Sequence, residues 1–171
     1  GFDDAELAAS GSLLGVRESR RIVGDYVLCA DDYKRRASFE DEIGRYNFSI
    51  DIHPSEPGPA ALAEHKKHYI GQHYGKGESY GIPYRILCPR KVTNLLTAGR
   101  CVSTDRYVMA SLRVMPGCFI TGMASGMAAA IAIDCKCNPR EIAVESLQQR
   151  LKSNGAFLPN SNAHQLACAT I

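Results

Sequence analysis

The stretch from Val92 to Ile133, VTNLLTAGRCVSTDRYVMASLRVMPGCFITGMASGMAAAIAI, constrains the fold more than any other part of the chain. It predicts a short buried strand over 92–98, a Gly-Arg turn, an irregular loop over 104–110 and a helix over 116–134 with Pro116 in its first turn. Glycine inside a helix costs about 0.5–1 kcal/mol relative to alanine, so Gly117, Gly122 and Gly126 need a reason. Gly122 and Gly126 lie one turn apart. With Ala124, Ser125, Ala128, Ala129 and Ala130 they leave one face almost without bulk. That face suits either tight packing against another element or the close approach of a large flat ligand. The helix start near Arg113–Pro116 offers unpaired N–H groups and the positive end of a dipole, which favour an anion or an electron-rich carbonyl oxygen. Gly99 would let the backbone turn sharply against a ligand, and Arg100 would bring a five-donor fork there, or serve as an ordinary surface ion pair. No G-x-G-x-x-G fingerprint occurs in the chain, so the pattern offers half of a nucleotide-cofactor site and not the other half.

A length of 171 residues predicts one domain, with room for an appended subdomain. At 45% hydrophobic the chain can bury a substantial core, and a net charge of +2 gives no case for nucleic acid as a partner. The most apolar stretch, Met123 to Ile133, is too short and too small in side-chain size to span, so no membrane segment is expected. No basic segment followed by an apolar one marks a secretory signal. The seven cysteines (29, 88, 101, 118, 135, 137 and 168) are odd in number and irregular in spacing, which argues against a disulfide framework. A reducing, cytoplasmic setting is expected. Cys135 and Cys137 are closer together than zinc ligands usually are, and Lys66 and Lys67 between His65 and His68 disfavour a cation, so no metal site is assigned.

Elsewhere, residues 1–14 resemble the tail of a helix, and 15–28 (GVRESRRIVGDYVL) are strand formers with Gly24-Asp25 as a turn or bulge. Residues 31–46 fit a short exposed helix with Asp31 as its N-cap. Phe48, Ile50 and Ile52 alternate with Ser49, Asp51 and His53, predicting a half-buried strand over 47–53 that ends at Pro54. A long polar loop follows over 54–79, then a strand over 80–90 interrupted by Pro83. Residues 139–151 predict a helix with Ile142, Leu147 and Leu151 inward, Gly155 a stop signal, and 159–171 a loose tail. The dense cluster Arg17, Glu18, Arg20, Arg21 reads either as a solvated strand with ordinary ion pairs or as an arginine held by Glu18 and aimed at an anion. His53 closes its strand where it is usually structural and, in a cleft, could act as acid or base. Tyr84-Arg85 could present a phenol and a guanidinium from a strand edge.

GVRESRRIVGDYVL at 15–28, IDIHP at 50–54, GIPYRILCPRKVTNLLTAGRCVS at 81–103, SLRVMPGCFITGMASGMAAAIA at 111–132 and LQQRLKSNGAFL at 147–158 together resemble the C-terminal part of FAD-dependent oxidoreductases of the glutathione-reductase-like two-domain type. The resemblance implies an α+β fold. A mixed or antiparallel substrate-side sheet would occupy residues 1–91, and the strand and helices completing a Rossmann-like FAD domain would occupy 92–158. It implies hydride transfer between a small organic substrate and the flavin. It places Ala98, Gly99 and Arg100 near the pyrophosphate and ribityl chain, and the backbone of Arg113, Val114 and Met115 at the flavin N1–C2=O edge. Arg17, Arg20, His53 and Tyr84 become the candidates for substrate binding or proton transfer. The histidine that such enzymes often carry between AGR-x-x-S and S-[IL]-R has no counterpart in 104–110, so no role passes from it. The nucleotide-binding portion with its Gly-rich loop is expected upstream or on another chain, with oligomerisation a further way to cover apolar faces. The rival reading is a non-catalytic binding or assembly module that keeps the fold without the cofactor.

Overall fold

The computed structural model describes residues 3–52, 58–60, 63 and 73–159. At its centre a short antiparallel pair joins β1 (Glu42–Tyr46) to β2 (Tyr80–Pro83), with Gly44 opposite Ile82, Tyr46 opposite Tyr80, and a bulge between Glu42 and Gly44. Ile43, Tyr80 and Ile82 are fully buried. Around the pair stand four labelled helices: α1 (Ala30–Lys34), α2 (Arg106–Leu112), α3 (Met115–Cys135) and α4 (Val144–Ser153). The architecture is α+β. One hydrophobic core gathers residues from Leu28 to Leu158.

Specific polar contacts fix how the helices meet the strands. Gly44 leaves room for Ile120 of α3, since a Cβ there would lie 2.5 Å from the Ile120 Cγ2. Gln148 of α4 is buried and donates from Nε2 to the carbonyls of Glu40 (2.8 Å) and Glu42 (3.0 Å), pinning α4 to β1. Glu42 is itself buried and pairs with Arg45 at 2.6 Å. Asp105 caps α2 by accepting the Val108 N–H (2.8 Å), and its other oxygen accepts the Ala30 N–H at the start of α1 (2.7 Å). One carboxylate therefore sets the positions of both helices.

The helix expected at 116–134 is α3, with Pro116 in its first turn as the sequence indicates. Its apolar run extends further than Met123–Ile133. By length and composition α3 is long and apolar enough to cross a membrane, with mean hydropathy 1.6. Gly117, Thr121, Ala124, Ala128, Ile131 and Ala132 are buried against the rest of the chain. Residues 139–151 divide into a 3-10 turn (Pro139–Glu141) and α4, with Ile142, Leu147 and Leu151 inward as expected. Gly155 ends the helix at φ +87°.

Other expectations are corrected. Residues 92–98 form no strand: Val92 and Leu95 are exposed, Thr97 N–H bonds the Leu87 carbonyl (2.9 Å), and the Thr97 carbonyl accepts the Ser125 hydroxyl of α3 (2.9 Å) rather than a ladder N–H. Residues 15–28 are extended without being a strand. Their bonds scatter over Cys101, Cys88, Arg85 and Ser103, so no continuous ladder forms. Residues 47–52 are likewise irregular, because the Phe48 carbonyl accepts the Ser111 hydroxyl (2.6 Å) in place of a ladder bond. The helix expected over 31–46 stops at Lys34, where Arg36 turns to φ +53°, and 42–46 is strand β1. Cys29, not Asp31, is its N-cap. The strand over 80–90 holds to Pro83 and then tightens into a 3-10 turn, Tyr84–Leu87. Residues 3–14 are not helical, and the loop over 104–110 is in large part helix α2. His53, most of the polar loop and the tail from 160 onward lie outside the described residues.

Candidate functional site

The junction between α2 and α3 brings the sequence candidates together. Gly99 turns at φ +69° and donates its N–H to the Thr121 hydroxyl on α3 (2.9 Å). That bond holds the Gly99–Cys101 3-10 turn against the helix. Arg100 then lies across the end of α2 and donates from Nε to the Arg113 carbonyl (3.2 Å). Ala98 precedes the turn in extended conformation. Val114 is the N-cap of α3 and Met115 its first residue, 65% exposed. The first backbone bond at this end runs from Cys118 N–H to the Val114 carbonyl (3.1 Å), so the N–H groups of Val114 and Met115 have no partner within the helix. Burial pushes the Cys118 thiol up, against the opposing effect of Arg100 beside it.

Arg113 links this rim to a second feature. Its side chain is largely buried and donates to Glu18 (2.8 Å) and to the Asp51 carbonyl (2.6 Å). Glu18 also accepts from Arg21 (2.6 Å), so one carboxylate holds two guanidiniums. Beside this arrangement opens a cavity of about 470 Å³, lined by Val16, Arg17, Glu18, Ser19, Ile52, Arg106, Ala110 and Arg113. Arg17 is exposed and lines this cavity. Arg20 is exposed and outside the lining. Tyr84 stands apart from the cavity: it is a core residue, its hydroxyl donates to the Pro139 carbonyl (2.7 Å), and burial raises its phenol. His53 lies outside the described residues.

Arg106 was missed because 104–110 reads as a loop. The signal was there: Asp105 is a good cap, and Val108, Met109 and Leu112 follow at helical spacing.

A family profile described as FAD dependent oxidoreductase matches residues 1–151. The chain belongs to that family. No curated protein and no solved structure matches the chain. The family's cofactor is FAD, and its chemistry is flavin-linked oxidation and reduction. This family's chain offers the cofactor several fitting features. Two backbone donors with no partner among the described residues and the Arg100 guanidinium lie at the head of α3, and an added Cβ at Gly122 or Gly126 would meet nothing within 4 Å. Such donors suit a group that becomes anionic when reduced.

Proposed function

We propose that the chain is the C-terminal, flavin-capping and substrate-side portion of an FAD-dependent oxidoreductase that acts on a small organic substrate. FAD supplies the hydride chemistry. The residues of this chain hold and orient it. The N–H groups of Val114 and Met115, with the α3 dipole behind them, would stabilise negative charge on the flavin. Ala98, Gly99 and Arg100 would hold the ribityl and pyrophosphate part of the cofactor, the glycine permitting close approach and the arginine supplying a cation. The Gly122–Gly126 face packs against the nucleotide-binding portion, supplied in the same polypeptide or by another.

The observation that carries this reading is the head of α3, where unpaired backbone donors stand beside Arg100 and continue into a helix face that nothing in the described chain fills. Its test is flavin uptake. The protein combined with the Gly-rich nucleotide-binding portion is expected to bind FAD, read by flavin absorbance and by quenching of flavin fluorescence. Arg100→Ala should weaken that binding. A combination that stays colourless with FAD supplied would overturn the reading and leave an assembly module in its place.

A further inference from the structure

We propose that the cavity beside Arg113 is the substrate pocket and that it takes an organic acid, with Arg17 and Arg106 gripping carboxylate. The inference rests on the flavoenzyme reading above and adds the substrate class to it.

The charge arrangement in the cavity is the first argument. Three arginines line it, the exposed Arg17 and Arg106 and the largely buried Arg113, against one carboxylate residue, Glu18. Glu18 is already engaged twice, by Arg113 and by Arg21. Arg113 is spent as well, on Glu18 and the Asp51 carbonyl. Arg17 and Arg106 make no ion pair or hydrogen bond with any described residue, so two cations line a concave space without an anion of their own. A pair of planar forks matches the bidentate geometry of carboxylate oxygens.

The second argument is the mixed character of the wall. Val16, Ile52 and Ala110 supply apolar surface between the charged groups. A carbon skeleton between carboxylate ends fits that surface, whereas inorganic phosphate has no use for it. The volume of about 470 Å³ is in the range of small-molecule pockets. The third argument is position. Arg113 forms part of the cavity wall through its side chain, while its carbonyl accepts from Arg100 at the head of α3. The acid therefore sits one residue away from the donors assigned to the flavin. Gripping the substrate by its carboxylates leaves the carbon that exchanges hydride free to face the flavin.

The test is titration calorimetry of the protein with unbranched dicarboxylates from malonate to adipate, with their neutral diamides and with inorganic phosphate. At least one dicarboxylate should bind, more weakly as salt is added, while the diamides do not. Arg17→Gln and Arg106→Gln should each weaken that binding by roughly tenfold or more, as expected for a lost charge-assisted bond. Neither side chain has a partner among the described residues, so circular dichroism and the melting temperature should stay unchanged. Arg150→Gln, on α4 and away from the lining, should bind as the parent does. No dicarboxylate binding, equal binding of the diamides, phosphate binding as tightly as the best dicarboxylate, or binding indifferent to both substitutions would each overturn the proposal. FAD uptake by the same protein after it is combined with the Gly-rich nucleotide-binding portion separates the two claims. Flavin uptake without dicarboxylate binding overturns the pocket alone. Dicarboxylate binding lost in the Arg17 and Arg106 variants, without flavin uptake, supports the pocket and overturns the flavoenzyme reading.

Discussion

The three glycines of α3 should part company when replaced by alanine. At Gly117 an added Cβ would collide with the Leu112 carbonyl oxygen and lie 3.0 Å from the Leu112 Cδ1. The obstacle is backbone, which cannot give way as a flexible side chain would. Overpacking of this kind costs about 1–3 kcal/mol, more than the helix propensity gained. At Gly122 and Gly126 an added Cβ meets nothing within 4 Å. Each alanine should therefore return its helix propensity, about 0.5–1 kcal/mol, and the pair together about 1–2 kcal/mol. For a chain of this length that is a rise of roughly 2–8 °C in melting temperature. Thermal unfolding followed by circular dichroism reads both effects. The same double variant should lose affinity for the nucleotide-binding portion, measured by FAD uptake of the combined protein, because the added methyls stand on the face proposed to receive it. A Gly122→Ala/Gly126→Ala protein that melts lower than its parent would refute the reasoning, since the glycines would then serve packing inside this chain. One that melts higher and still takes up FAD undiminished would refute the proposed contact.

Two further outcomes follow from buried polar groups. Burial pushes the Asp32 carboxyl up, but hydrogen bonds from Arg35, the Cys29 N–H and the Tyr26 hydroxyl outweigh it and hold the group below its ordinary value. Its stabilising effect is thus complete above the unfolded value of about 3.9 and fades as pH falls toward the lower native one. The urea midpoint of Asp32→Asn should lie well below that of the parent near neutral pH, with the gap narrowing below about pH 4; a gap that stays constant contradicts the assignment. Arg45 keeps 7% of its side chain exposed and Glu42 keeps 1%, so Arg45→Met strands a buried carboxylate and should cost about 3–5 kcal/mol in urea unfolding. Glu42→Gln combined with Arg45→Met should cost less than the sum of the two single changes, and strict additivity would show that the pair is not coupled.

The helices that were legible in the sequence carry their own signals. α3 is marked by Pro116 and its apolar run, and α4 by the spacing of Leu147 and Leu151 before Gly155. Strands proved harder, because a strand exists only through its partner. Residues 15–28 and 47–52 have strand composition, yet their backbone groups bond to scattered loops and to the Ser111 hydroxyl. β1 was hidden for the opposite reason: Glu42 and Arg45 look like surface residues, and only the fold shows that they neutralise each other in its interior. The same holds for the site. The residues with glycine and helix-start signatures were readable one by one, and the Arg17–Glu18 cluster was noticed. Arg106 became visible only when α2 carried it to the same cavity.

Arg113 shows why the two halves of the candidate site depend on one another. Its guanidinium is fixed by Glu18 and by the Asp51 carbonyl, and its own carbonyl receives Arg100 Nε and the Cys118 thiol. The residue also closes α2 and directly precedes the cap of α3. A shift of its side chain toward an acid in the cavity would strain the turn that aims the Val114 and Met115 N–H groups. Glu18 opposes that shift with a short ion pair that is largely shielded from solvent. The cluster around Arg113 therefore works best as a rigid strut, with Arg17 and Arg106 left to adapt to the substrate. In the proposed pocket the arginines without a described partner would do the gripping, and the paired one would hold the geometry. This division explains why the cavity spends one of its three cations on a carboxylate of its own.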